Sequence, residues 1–166
     1  KIKDNSKRFL TPKMLLRYAP GHMREETSTT RLNHSNVFTL DRLNTNKNFE
    51  SGLSATLGFD YELQESNKKL DFSIAQIINE KENKDMPSSS SLDQRFSDVI
   101  GHSNVELNDN IKLSYNFALD QNYQQLNYNE LGASLDFSPI KFDFNYLQEK
   151  EHIGTQEYFK GKVGFA

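Results

Sequence analysis

The side chains with the means to do chemistry are six carboxylates, Asp60, Glu62, Asp71, Glu106, Asp136 and Asp143, and four histidines, His22, His34, His102 and His152. Two carboxylates held a few ångströms apart are the equipment of glycoside hydrolysis, one serving as acid and the other as base or nucleophile. Here, however, cations stand at the polar positions of the same kind of alternating run: Arg17, Lys112, Lys141, Lys160 and Lys162. Charges of both signs on one wet face neutralise each other, and that is the simpler reading of the set. No two histidines lie at a metal-ligand spacing such as H-x-x-x-H, and three of the four fall in segments that read as loops. We therefore expect no enzyme activity, no metal and no cofactor.

Nothing else supplies a reactive group. The sequence has no G-x-S-x-G, no P-loop and no glycine-rich dinucleotide signature. It has no cysteine, hence no disulfide, thiol nucleophile or cysteine-based metal site. Net charge is −3 with both signs interspersed, so no basic face argues for nucleic acid.

The elements that position these residues announce themselves by a period of two. The clearest run is Leu53-Ser54-Ala55-Thr56-Leu57-Gly58-Phe59-Asp60-Tyr61-Glu62-Leu63. Successive side chains of a strand point to opposite faces, so this run has one oily face and one wet one. Eight such runs predict strands over Phe9–Ala19, Asn48–Gln64, Lys69–Lys81, Phe96–Leu107, Asn110–Gln121, Gln125–Phe137, Ile140–Lys150 and Gln156–Phe165. At about 9–11 residues a tilted strand crosses a bilayer. A mean hydropathy of −0.77 excludes membrane-spanning helices but not a barrel, whose strands alternate lipid-facing with polar residues. In Gln125–Phe137 the apolar parity changes between Tyr128 and Leu131, which predicts a β-bulge near Asn129 or Glu130.

The connections alternate in character. Glu65–Lys68, Asn108-Asp109 and Ser138-Pro139 are tight turns, while residues 20–47 and 82–95 read as long loops, the second carrying Met86-Pro87 and four consecutive serines. Arg31–Leu43 has a strand-like second half. Counting it as a ninth strand would put a long connection on the side of the tight turns, so it is assigned to the first loop. Short turns on one side and long loops on the other are the asymmetry of an outer-membrane barrel, with the long loops outside. The expected fold is thus all-β, an antiparallel up-and-down meander of about eight strands forming part of a large transmembrane barrel. The abrupt ends at Lys1 and Ala166 suggest an excerpt, residues 1–166 being a partial barrel domain. Alternation alone fits a porin or channel equally, or a soluble β-sandwich or lipocalin-like module whose apolar faces meet inside.

Three stretches, in order, carry a resemblance. They are Pro12-Lys13-Met14-Leu15-Leu16-Arg17-Tyr18-Ala19-Pro20-Gly21-His22-Met23; then Phe38-Thr39-Leu40-Asp41-Arg42-Leu43 with Glu50-Ser51-Gly52 and Thr56-Leu57-Gly58-Phe59-Asp60-Tyr61; then Phe72-Ser73-Ile74-Ala75-Gln76-Ile77-Ile78 and Ser97-Asp98-Val99-Ile100-Gly101. Together they resemble the barrel domain of the LptD (OstA) family of lipopolysaccharide-assembly proteins, most strongly over Pro12–Gly101. The resemblance implies a very large barrel in the outer membrane of a Gram-negative bacterium that passes lipopolysaccharide to the outer leaflet. It implies as partners outer-membrane lipids, an LptE-like plug lipoprotein, an LptA-like periplasmic bridge and the barrel-assembly machinery. The family's N-terminal periplasmic domain is not found in this sequence.

Such a barrel needs a hydrated, mixed-charge interior. The residues expected to face the lumen are Arg17, Ser54, Thr56, Asp60, Glu62, Asn104, Lys112, Asn116, Asp136, Lys141 and Asp143. Asp41 and Arg42, set inside a short apolar run of the first long loop, are expected to make fixed polar contacts that fold it over the barrel mouth.

Overall fold

A computed structural model describes residues 6–27, 31–43, 47–150 and 155–165. Period-two alternation becomes eight strands in one sheet: β1 (Lys7–Ala19), β2 (Gly52–Gln64), β3 (Lys69–Asn79), β4 (Val99–Asn108), β5 (Ile111–Leu119), β6 (Leu126–Phe137), β7 (Ile140–Glu149) and β8 (Gln156–Phe165). Each strand pairs antiparallel with the next, in the spatial order of the chain, and β1 and β8 are not paired with each other among the described residues. Turns 65–68, 109–110 and 138–139 lie at one end of the sheet. Connections 80–98 and 120–125 lie at the other, with the described parts of the first long loop.

The strands stop short of several sequence-based boundaries, and the reasons are local. β2 starts at Gly52 rather than Asn48, because Glu50 turns in to meet two arginines and Gly52 adopts φ +106°, a region that favours glycine. β3 ends at Asn79 rather than Lys81, where the Asn79 amide donates to the Leu92 (3.4 Å) and Gln94 (2.7 Å) carbonyls of the second long loop. That loop contains a single 3₁₀ turn at Ser88–Ser90.

The bulge in β6 sits at Asn127, not at Asn129 or Glu130. Ala118 pairs with Tyr128 but Leu119 pairs with Leu126, leaving Asn127 as the extra residue. The shift matters because it puts Tyr128 on the face of Ala118, Asn116 and Glu130 instead of the oily face. Leu107 forms a second irregularity that alternation did not signal, since Glu106 pairs with Lys112 and Asn108 with Ile111.

The buried core lies between the sheet and the long loops rather than between two sheets. Leu32, Val37 and Leu43 of the first loop and Met86 and Leu92 of the second gather over Ala75, Ile77, Ile100, Ala118 and Tyr128 of the strands. Ile77 is fully buried, and each such aliphatic side chain contributes on the order of 1.5–3 kcal/mol.

Candidate functional site

The register sorts the sheet into two faces of opposite chemistry. On one, Leu53, Leu57, Phe59, Leu113, Leu131, Phe142, Phe144, Phe159 and Val163 are all more than one-third exposed, and none of the described loop residues covers them. The aromatic contacts between strand residues are on this bare face: Phe59 with Phe72, Tyr115 with Phe117, and Phe159 with both Phe144 and Tyr146, at centroid separations of 4.8–6.5 Å. Tyr115 and Phe117 are neighbours along β5, and the others are cross-strand pairs, which stabilise the sheet beyond simple burial.

The other face carries the first long loop and changes character from end to end. Nearest the loops, Ser54 lies between Arg17 and Asn79, and Thr56 beside Ile77; the next line runs Gly58, Ala75, Ile100, Ala118, Tyr128 and Glu149. In the middle the line is Asp60, Ser73, His102, Asn116 and Glu130. Toward the turns it becomes Glu62, Asp71, Asn104, Ser114, Gly132, Asn145 and Lys160, then Lys69, Glu106, Lys112, Ser134, Asp143 and Lys162, and finally Asp136 beside Lys141. All eleven residues expected to share a polar face therefore do share one face, but not one environment. Arg17, Ser54 and Thr56 are buried beneath the loop, whereas the other eight lie beyond the most deeply covered lines.

At the turn end the charges offset one another. Lys112 meets Glu106 at 3.4 Å, Lys141 meets Asp136 at 2.7 Å, and the Ser134 hydroxyl donates to Asp143 at 2.8 Å, while on the middle line Lys13 pairs with Asp60. These pairs are largely exposed, so each contributes little to stability. Of these, Glu106, Lys112, Ser134 and Asp143 line an open trough of about 490 Å³ whose walls also include Asp71, Asn104, Lys160 and Lys162. Carboxylates tied to lysines across neighbouring strands make a hydrated mixed-charge surface. Among the described residues no group of three or more His, Cys, Asp or Glu could hold a metal ion.

At the loop end, Arg31–Leu43 is strapped across the sheet by a clasp at each end. At one end Arg31 lies over the Tyr128 ring, 3.3 Å from its centroid, and binds Glu149 at 2.7 Å. At the other end Arg42 is enclosed, with none of its side chain exposed. Its Nε donates to Glu50 at 2.8 Å, a second guanidinium nitrogen meets the other carboxylate oxygen, and it also reaches the Ser54 hydroxyl at 3.1 Å. Arg17 joins from below, donating from Nε to the Leu40 carbonyl at 2.6 Å and from Nη2 to the Glu50 carbonyl. Asp41 is exposed and accepts the Leu43 amide at 3.1 Å, a local turn contact. Between the clasps, His34 stacks on His102 with centroids 4.1 Å apart and planes 12° apart.

Several of these partners were not evident from sequence. Arg31 meets Tyr128 and Glu149, and His34 meets His102, across 68 to 118 positions, and no spacing signals such contacts. Ile77 did leave a trace, since it places an aliphatic residue at a polar position of its run. His22 is exposed in the first loop, and His152 lies outside the described residues.

A family model described as LptD, LPS transport system D, matches residues 3–162 of the chain. No curated protein matches it.

Proposed function

Because the chain belongs to the LptD family, the LPS transport system D proteins, we propose that its eight strands are a section of barrel wall whose loop-bearing face lines the transport lumen. Members of this family are β-barrels of the Gram-negative outer membrane that transport lipopolysaccharide and assemble it there; they are transport barrels, not enzymes. The reading of this wall rests on its two-facedness: an uncovered oily face behind a polar face that bears a trough and a folded-in loop.

In this assignment the lumen set is Arg17, Ser54, Thr56, Asp60, Glu62, Asn104, Lys112, Asn116, Asp136, Lys141 and Asp143. Its members divide the work. Arg17, Ser54 and Thr56 seat the loop, because they bond Leu40, Arg42 and Val37. The remaining eight keep a hydrated surface for the sugar and phosphate groups of the cargo. Arg42 anchors the far end of the strap over the barrel mouth, with Asp41 shaping its turn. Outer-membrane lipids cover the bare face. An LptE-like plug lipoprotein, an LptA-like bridge acting through the family's periplasmic domain, and the barrel-assembly machinery complete the proposed partners.

The test is photo-crosslinking in the full-length transporter. A photoreactive residue at Ser114 or Asn104 should capture lipopolysaccharide during transport. One at Phe142, on the bare face near the tight turns, should capture phospholipid. Lipopolysaccharide captured at Phe142 but at neither polar position would contradict the assignment.

A further inference from the structure

The stacked imidazoles of His34 and His102 join the strap to the sheet through two like titratable groups, and we propose that this pair is an acid-sensitive latch that releases Arg31–Leu43 from the face it covers. The inference goes beyond the transport reading and does not depend on which face meets lipid.

The geometry fixes the lower ring. Asn116 donates its amide to Glu130 at 2.9 Å, so its carbonyl oxygen faces His102 and accepts from Nδ1 at 2.5 Å. Nε2 of the same ring then accepts from the Asn104 amide at 3.0 Å. Both nitrogens of the His102 ring are thus engaged by asparagine side chains of the sheet, which fixes the ring's position beneath the strap. The upper ring, His34, lies face to face with it, so protonating both places two positive rings 4.1 Å apart.

The surrounding charges act in both directions. Arg31 of the strap, a positive charge, borders one cavity with His34. Glu130 of β6 opposes it, but that carboxylate already accepts from Asn116 and from the Tyr128 hydroxyl at 2.7 Å. Asp60 of β2 is tied to Lys13 of β1, and Glu149 of β7 to Arg31. Glu62 of β2 and Asp71 of β3 line the cavity of about 240 Å³ that His34 and His102 share, and favour protonation. The balance falls against the proton: desolvation first, then His102, hold the His34 pKa below its ordinary 6.5.

The sign follows. A histidine whose folded pKa is depressed contributes stability that is present above pH 6.5 and is lost as pH falls through the folded value, because the undocked strap takes up the proton more readily. Release would uncover the cavity beneath His34 and the apolar residues Val37 and Phe38 that border it.

Hydrogen exchange of the strap amides in the full-length transporter, corrected for intrinsic rate, tests this. Protection over residues 31–40 should fall by about tenfold or more between about pH 7.5 and about pH 5. In His34→Phe and in His102→Gln it should become independent of pH, with the neutral-pH protection kept in at least one of the two. A wild-type profile that is flat, a pH dependence that survives in both variants, or protection lost at both pH values in both variants would overturn the proposal.

Discussion

Glu50 is the residue on which the closed strap most depends, because one buried carboxylate serves two buried guanidiniums. Its side chain is 4% exposed, and those of Arg17 and Arg42 are 8% and 0% exposed. Removing one partner of such a set leaves uncompensated charge away from water, which costs far more than the intact pairing contributes. Glu50→Gln should therefore destabilise strap docking by about 3–5 kcal/mol, read as lost exchange protection over residues 31–43. Arg42→Lys keeps the charge but not the two-pronged geometry, and should cost roughly 1–3 kcal/mol. Asp93, in the second long loop, presents the opposite case. Burial raises its pKa above the ordinary 3.8, so the folded state holds the proton more tightly than the unfolded one. The ionised form is a liability at neutral pH, and the liability fades as pH falls through the raised value. Asp93→Asn should raise the thermal midpoint at neutral pH, and the gain should disappear under acid; a midpoint lowered equally at both would contradict this. Sequence alone marked Arg42 through its setting in Phe38–Leu43, but Glu50 was read as part of a strand. Its true role depends on a partner contributed by a segment that has no regular structure.

Among the elements, β4 and β5 show how a sheet accommodates a residue without a side chain. A Cβ on Gly101 would lie 2.1 Å from the Phe117 ring, which occupies the space above the glycine on the bare face. Gly101→Ala should displace Phe117 and cost about 1–3 kcal/mol, measured as a lower unfolding midpoint of the full-length barrel; Phe117→Leu in the same background should recover part of the loss. The faces of the strands should also respond differently to charge. Leu57→Arg puts a guanidinium on the bare face near mid-strand and should cost about 2–4 kcal/mol if that face meets lipid. Ser114→Arg, on the loop-bearing face, should stay within about 0.5 kcal/mol of wild type. Eight strands and their order were legible in the sequence because parity survives where one face is uniformly oily. The β6 bulge was misplaced by two or three residues because Tyr128 reads as an oily-face aromatic. It lies instead under Arg31, in an apolar zone created by the loop, and only the folded loop reveals that zone.

For the molecule as a whole, low mean hydropathy and an exposed oily face are two aspects of one design. The sheet buries its core against loops and leaves its aromatic and aliphatic residues on the opposite side, where a water-soluble protein would expose a large sticky patch. Membership of a family of outer-membrane transport barrels gives that patch a solvent. It also gives the alternating charges across the strands a reason to stay wet. Fold class and family were readable from alternation and from three ordered motifs. The strap was not, because sequence could place Arg31–Leu43 in a loop but not on a face. The most direct test of the account is a cysteine scan along β5, Ile111–Leu119, whose native sequence contains no cysteine. Each variant of the full-length transporter, in its membrane, would be challenged with a charged, membrane-impermeant maleimide and then spin-labelled for lipid contact. The account predicts alternation: Lys112 and Ser114, beyond the strap, accessible to the charged reagent, and Leu113, Tyr115 and Phe117 shielded from it and in contact with lipid. Equal labelling of both sets, or lipid contact at the polar positions, would contradict it.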